Sequence, residues 1–143
     1  MTPSIHDNLS VSYEVRCEER IITLRTEFRP KQEFVNVIFK GVQGYRFEND
    51  AFGNIIFDVE IVGLDQLLKE YGKEISESYN MGGAYGPWAS NLETAPARLL
   101  EQGTQGFILS SSIGLSGWIL AREISIVAVQ RVASTDSLDA GTF

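Results

Sequence analysis

The sequence predicts an α+β fold: a mostly antiparallel six-stranded sheet, curled as a half-barrel or sandwich, with two short helices between strands 4 and 5. Three observations predict it. Residues 33–63, EFVNVIFKGVQGYRFENDAFGNIIFDVEIVG, hold the strongest apolar alternation in the chain and read as a hairpin, two long strands joined at a polar turn. Two shorter alternating runs precede them. Helical spacing replaces alternation at Gly63, and strand-like runs resume at Phe107. The expected core is Leu24, Val37, Phe39, Ile55, Phe57, Trp118 and Leu120.

In residues 9–17, alternation places Leu9, Val11, Tyr13, Val15 and Cys17 inward and Ser10, Ser12, Glu14 and Arg16 outward. Cys17 is thus expected as a buried thiol, acting as a small hydrophobe. After a charged link, Ile22, Leu24, Thr26 and Phe28 form the inner face of a second strand. Arg29-Pro30-Lys31-Gln32 ends it, because proline cannot donate to a ladder. In the central run, straight alternation from Val35, Val37 and Phe39 leaves Val42 outside. Bulges at Gly41 and Gly44 instead keep Val42, Tyr45 and Phe47 on the same face. Glu48, Asn49, Asp50 and Gly53 supply turn chemistry, after which Ile55, Phe57, Val59 and Ile61 alternate with Asn54, Ile56, Asp58 and Glu60.

Leu64, Leu67, Leu68 and Tyr71 form one helical stripe, with Asp65 at its positive end and Gly72 as its stop. A second helix is expected over residues 94–102, with Thr94 as N-cap, Pro96 in its first turn, Gly103 as terminator, and Ala95, Leu99 and Leu100 on one face. Residues 107–111 and 117–129 read as the last strands. Trp118, Ile119, Leu120 and Ala121 are apolar on both faces, as in a central strand covered on both sides. Arg122 either points inward to pair with Asp58 or Glu60, or sits near an edge and reaches water. The chain is read as a single domain spanning 1–143, with an ordered core of about 9–130 and flexible ends at 1–8 and 132–143.

Hydrophobic residues make up 43% of the chain and charged ones 22%, ordinary for a globular protein; 12 basic and 19 acidic residues give a net charge of −7. An acidic chain without a basic run repels phosphate backbones, so neither nucleic acid nor an anionic membrane is expected as partner. A single cysteine, Cys17, excludes an internal disulfide and a cysteine cage, and the one histidine, His6, sits in a polar N-terminal segment. No cofactor and no metal are expected. MTPSIHDNLS lacks the basic start and apolar run of a signal peptide, and residues 104–121 are too polar and broken to span a bilayer. A cytoplasmic location is the default.

Residues 73–91, KEISESYNMGGAYGPWASN, read as a long aperiodic connection. Tyr79, Met81, Tyr85 and Trp88, set among Gly82, Gly83, Gly86 and Pro87, are the aromatic and soft anchors a recognition loop uses. The alternative is that Tyr85 and Trp88 fold down as a lid on the sheet. No phosphate-loop or dinucleotide pattern is present. The serines of residues 110–117 do not form a nucleophile elbow, since the G-x-S-x-G spacing is missing; they read as a turn. Glu48, Asp50, Asp58 and Glu60 lack the spacing of a calcium loop.

The stretches YEVRCEERIITLRTEF, EFVNVIFKGVQGYRFENDAFGNIIFDVE and SSSIGLSGWILAREISI resemble a family of small uncharacterised bacterial single-domain proteins, over about residues 9–128. Some members are similar to immunity proteins of contact-dependent toxin systems. The resemblance implies toxin neutralisation and brings no catalytic residue. Two functional expectations follow. One is a non-enzymatic protein-binding module acting through residues 73–91 and the acidic face. The other is a small-molecule-binding protein or small enzyme, with a pocket between helices and sheet anchored by Arg122, Asp58 and Tyr45.

Overall fold

The computed structural model describes residues 2–130. In chain order these form β1 (Leu9–Arg16), β2 (Ile21–Phe28), β3 (Glu33–Lys40), β4 (Gly44–Glu48), β5 (Asn54–Val62), α1 (Leu64–Gly82), α2 (Ala95–Glu101), β6 (Gln105–Ile113), β7 (Ser116–Ala121) and β8 (Glu123–Val129). Single 3-10 turns occupy Arg29–Lys31 and Pro87–Ser90. The expected fraying tail from position 132 lies outside the described residues.

The fold is α+β with an antiparallel sheet, as expected, but among the described residues the sheet has eight strands rather than six, in the order β4-β7-β6-β5-β1-β2-β3-β8. The extra two arise because two long runs break. The 33–47 run bends at Gly41, whose φ is +66°, and the 117–129 run bends at Arg122. The broken halves stay side by side: β3 pairs with β8, and β4 with β7. A Cβ on Gly41 would lie 2.8 Å from Cγ of Arg122, so the two bends meet where a side chain is missing. The sheet is not closed, since β4 and β8 are its ends. It nevertheless bends sharply. Phe39 of β3 meets Phe107 of β6 edge to face at 5.5 Å, although three strands lie between them in the sheet order.

The inner core follows from that bend. Ile22, Leu24, Val37, Phe39, Ile56, Phe107, Leu115, Ile119 and Ala121 are fully buried in it. Val42 is buried with them and Tyr45 and Phe47 pack against it, so these side chains share one interior as expected, but through a break in the strand between Lys40 and Gly44 and not through bulges. A second core lies on the other face, where α1, the Pro87–Ser90 turn and α2 cover Trp118 and Leu120. β7 is therefore buried on both faces, as its unbroken apolar run implied. The segment before β1 is attached rather than loose: Ile5 is buried, the Asp7 N–H donates to the Ile56 carbonyl, and the Asn8 amide donates to Thr26 Oγ1 at 2.9 Å.

Five expectations are corrected. The hairpin read over residues 33–63 does not form, because β4 pairs with β7 while β5 pairs with β1 and β6. A register shift between Ser10 and Ser12 turns Ser10 inward and leaves Val11 half-exposed, and Cys17 beyond the strand end is exposed, not buried. Shifts at Ile55–Ile56 and Ile56–Asp58 make Ile56 the buried hydrophobic residue of β5, while Phe57 is 49% exposed. Leu100 lies on the solvent side of α2 at 68% exposure, because a seven-residue helix packed through Ala95 and Leu99 turns its neighbour outward. Finally, α1 does not stop at Gly72. It runs 19 residues, to a left-handed Gly83 whose N–H donates to the Tyr79 carbonyl. Gly72 sits mid-helix because a Cβ there would come within 3.0 Å of Leu92 Cδ1. The glycine that reads as a stop is a close-packing position.

The β5 correction carries an expected result. Phe57 packs edge to face on His6 at 5.2 Å, and about half of its surface stays exposed. Phe57→Ala should lower stability by about 1 kcal/mol, not the roughly 3–5 kcal/mol of a core phenylalanine. Urea denaturation decides between them, and a loss in the larger range would restore Phe57 to the core.

Candidate recognition site

The aromatic anchors expected in residues 73–91 are largely committed to structure. Tyr79 stands on α1 and packs into the outer core. Trp88 is 4% exposed, and its Nε1 donates to the Gln43 carbonyl at 3.3 Å. Tyr85 lies against Trp118, with ring centroids 5.2 Å apart. The strand beneath makes room for them at Gly44, where a Cβ would stand 3.2 Å from Tyr85 and 3.3 Å from Trp88. Tyr85 and Trp88 thus fold down as the lid. Met81 alone of the four is widely exposed, at 89%.

The polar anchors do not converge. Arg122 is exposed and, among the described residues, makes no ion pair with Asp58 or Glu60; its backbone binds Lys40 and Gln105. Asp58 is exposed on β5 and accepts the Val59 N–H at 2.8 Å. Tyr45 faces Tyr85, Cys17 and Arg20 across a cleft of about 320 Å³, where burial and the neighbouring thiol raise its pKa. His6 lines a different cleft from Cys17, so the histidine and the thiol form no pair. Among the described residues, no three His, Cys, Asp or Glu side chains gather to hold a metal.

The most distinctive exposed feature lies elsewhere, in the turn between β4 and β5. Phe52 is 95% exposed at its tip. The loop carrying it is held by its own side chains. Asp50 Oδ1 accepts the Phe52 N–H and the Asn54 amide, each at 2.8 Å, and Asp50 Oδ2 accepts the Tyr13 hydroxyl at 2.9 Å. Asn54 Oδ1 accepts the Ala51 N–H at 2.8 Å and the Leu115 N–H at 2.9 Å, joining the loop to the β6–β7 turn. Gly114 there has φ +88°, and any Cβ would strike the Asn54 side chain. Asn49 and Phe52 themselves hold left-handed φ values of 63° and 62°. For a phenylalanine that conformation is strained, and strain held by surrounding contacts is common at functional positions. Half-exposed Val11 shares a cleft of about 230 Å³ with Phe52, Tyr13, Asp50 and Asn54.

Sequence reasoning identified this turn but passed over Phe52. The available signal was a bulky aromatic inside a run of turn formers, NDAFGN, where alternation assigns it no inward face.

The hydrogen bonds from Asn54, Phe52 and Tyr13, in that order of effect, hold the Asp50 carboxyl below its ordinary pKa of 3.8. A depressed folded pKa stabilises the loop above the ordinary carboxylate value, and that contribution is lost as pH falls through the folded pKa. The Phe52 amide proton resonance should therefore titrate with a midpoint below 3.8. A midpoint at or above that value would mean that Asp50 does not hold the loop.

No helix among the described residues is long and apolar enough to cross a membrane. Set against known proteins, the chain matches no family model, no curated protein and no solved structure.

Proposed function

We propose that this is a non-enzymatic protein-binding module that docks through the β4–β5 loop, with Phe52 as its anchor. One observation carries the reading: a phenylalanine 95% exposed on a loop fixed by five side-chain hydrogen bonds. An aromatic ring held in place before contact loses little entropy on binding, which is what interface hot spots exploit. The net charge of −7 selects a partner with a basic surface around an apolar pocket, and steers its approach. Neutralising such a partner by covering its surface is the form of this reading that the immunity resemblance implies.

The test uses wild type, Phe52→Asp and Met81→Ala as baits in a lysate of the source organism, followed by titration with the purified captured protein. Phe52→Asp should unfold at the wild-type urea concentration and lose the partner, which Met81→Ala retains. Binding to wild type should weaken with salt, as it does for complementary charges. Retention of every partner by Phe52→Asp would remove the loop from the function.

A further inference from the structure

A further concave site lies where α1 begins. The first turn of α1, the outer side of α2 and the ends of β5 and β6 enclose a cleft of about 370 Å³, within the roughly 300–1,000 Å³ usual for small-molecule sites. Its walls are apolar, from Ile61, Val62, Leu64, Pro96, Ala97 and Leu100. Ile61 and Leu100 stand 66% and 68% exposed at its lip. Gly106 contributes wall with no side chain; a Cβ there would lie 3.0 Å from the Val62 carbonyl and 3.1 Å from Leu67.

Besides the side chains of Asp65 and Gln105, two polar features interrupt these walls. Thr104 is 2% exposed, and its hydroxyl has no hydrogen-bond partner among the described residues. A buried hydroxyl left unpaired is destabilising, and such groups are rare in native proteins. The second feature is the N-terminus of α1 itself, where Gly63 provides no side-chain cap and the first-turn N–H groups lack intrahelical acceptors. Both features call for an oxygen that accepts a hydrogen bond. A helix start alone favours an anion, but Asp65 in the first turn already puts a carboxylate there. A second negative charge is repelled by it.

From this the geometry points to a ligand site for a compact, neutral, mostly apolar molecule carrying one carbonyl or hydroxyl oxygen, with Thr104 as the recognising side chain. The site is separate from the Phe52 loop, and its test does not depend on a protein partner.

The indane series supplies probes of one shape and different polarity: indane, 1-indanone, 1-indanol, indane-1-carboxylate and 1-aminoindane. Each is titrated into ¹⁵N-labelled protein, following the amides of Leu64, Ala97, Thr104 and Gly106. The ketone and the alcohol should shift these amides saturably, at least threefold more tightly than indane and about tenfold more tightly than the carboxylate. Thr104→Val keeps the side-chain shape and removes the hydroxyl. It should weaken indanone about three- to tenfold, leave indane unchanged, and fold at least as stably as wild type. Absence of saturable shifts at these amides, preference for the amine or the carboxylate, or equal indanone affinity in Thr104→Val would each overturn the proposal.

Discussion

Trp118→Ala is expected to destabilise the protein by about 3–5 kcal/mol, the range for deleting a buried aromatic. Trp118 is fully buried at the centre of the outer core. Its ring meets Tyr85 at 5.2 Å and Tyr71 at 6.4 Å, so it joins the sheet to both the Tyr85–Trp88 lid and α1. Its Nε1 donates to Glu74 Oε1 at 3.1 Å, and Glu74 also lies 3.7 Å from the Arg46 guanidinium. Truncation therefore opens a cavity and leaves Glu74 with the half-exposed Arg46 alone. Urea denaturation measures the loss. A change below about 1 kcal/mol would mean that the helices do not pack on β7 through this residue.

Gly117→Ala is the second large effect, and its mechanism is different. Gly117 is paired with Phe47 across the β4–β7 ladder. A Cβ at Gly117 would be driven into the Arg46 carbonyl oxygen, which is backbone rather than a flexible side-chain end. The ladder has to shift to accept even a methyl group. Overpacking of this kind reaches about 3 kcal/mol, and here it also disturbs Tyr45 and Phe47, which pack on the inner core. Backbone amide exchange of β4 should accelerate along with the drop in stability. An alanine variant within about 0.5 kcal/mol of wild type would contradict the close approach of the two strands.

What was legible in the sequence was local periodicity undisturbed by irregular pairing. Trp118–Ala121 announced a strand buried on both faces, and the glycines flanking Val42 marked where the phase could change, leaving its inward placement as one of two readings. What was not legible depended on residues far away in the chain. Gly72 reads as a helix stop until Leu92 is seen lying on it. The bulges that expose Phe57 and turn Ser10 inward have no glycine to mark them. The misread helix end had a functional consequence. It turned ten helical residues into an apparent loop and drew the expected site toward Tyr85 and Trp88, which Gly44 accommodates as core. Met81 remains exposed, but at the end of α1 and without the hydrogen-bonded frame that fixes Phe52. The polar anchors Asp58, Arg122 and Tyr45 stayed apart because parity along a strand does not say which strands become neighbours.

The assignment of recognition to the β4–β5 loop meets its most direct test in calorimetric titration of a captured partner with wild type and Phe52→Ala under one set of conditions. Loss of a hot-spot aromatic predicts binding weaker by about 30-fold or more, with the protein fully folded because Phe52 touches almost nothing else. An unchanged dissociation constant would contradict the assignment.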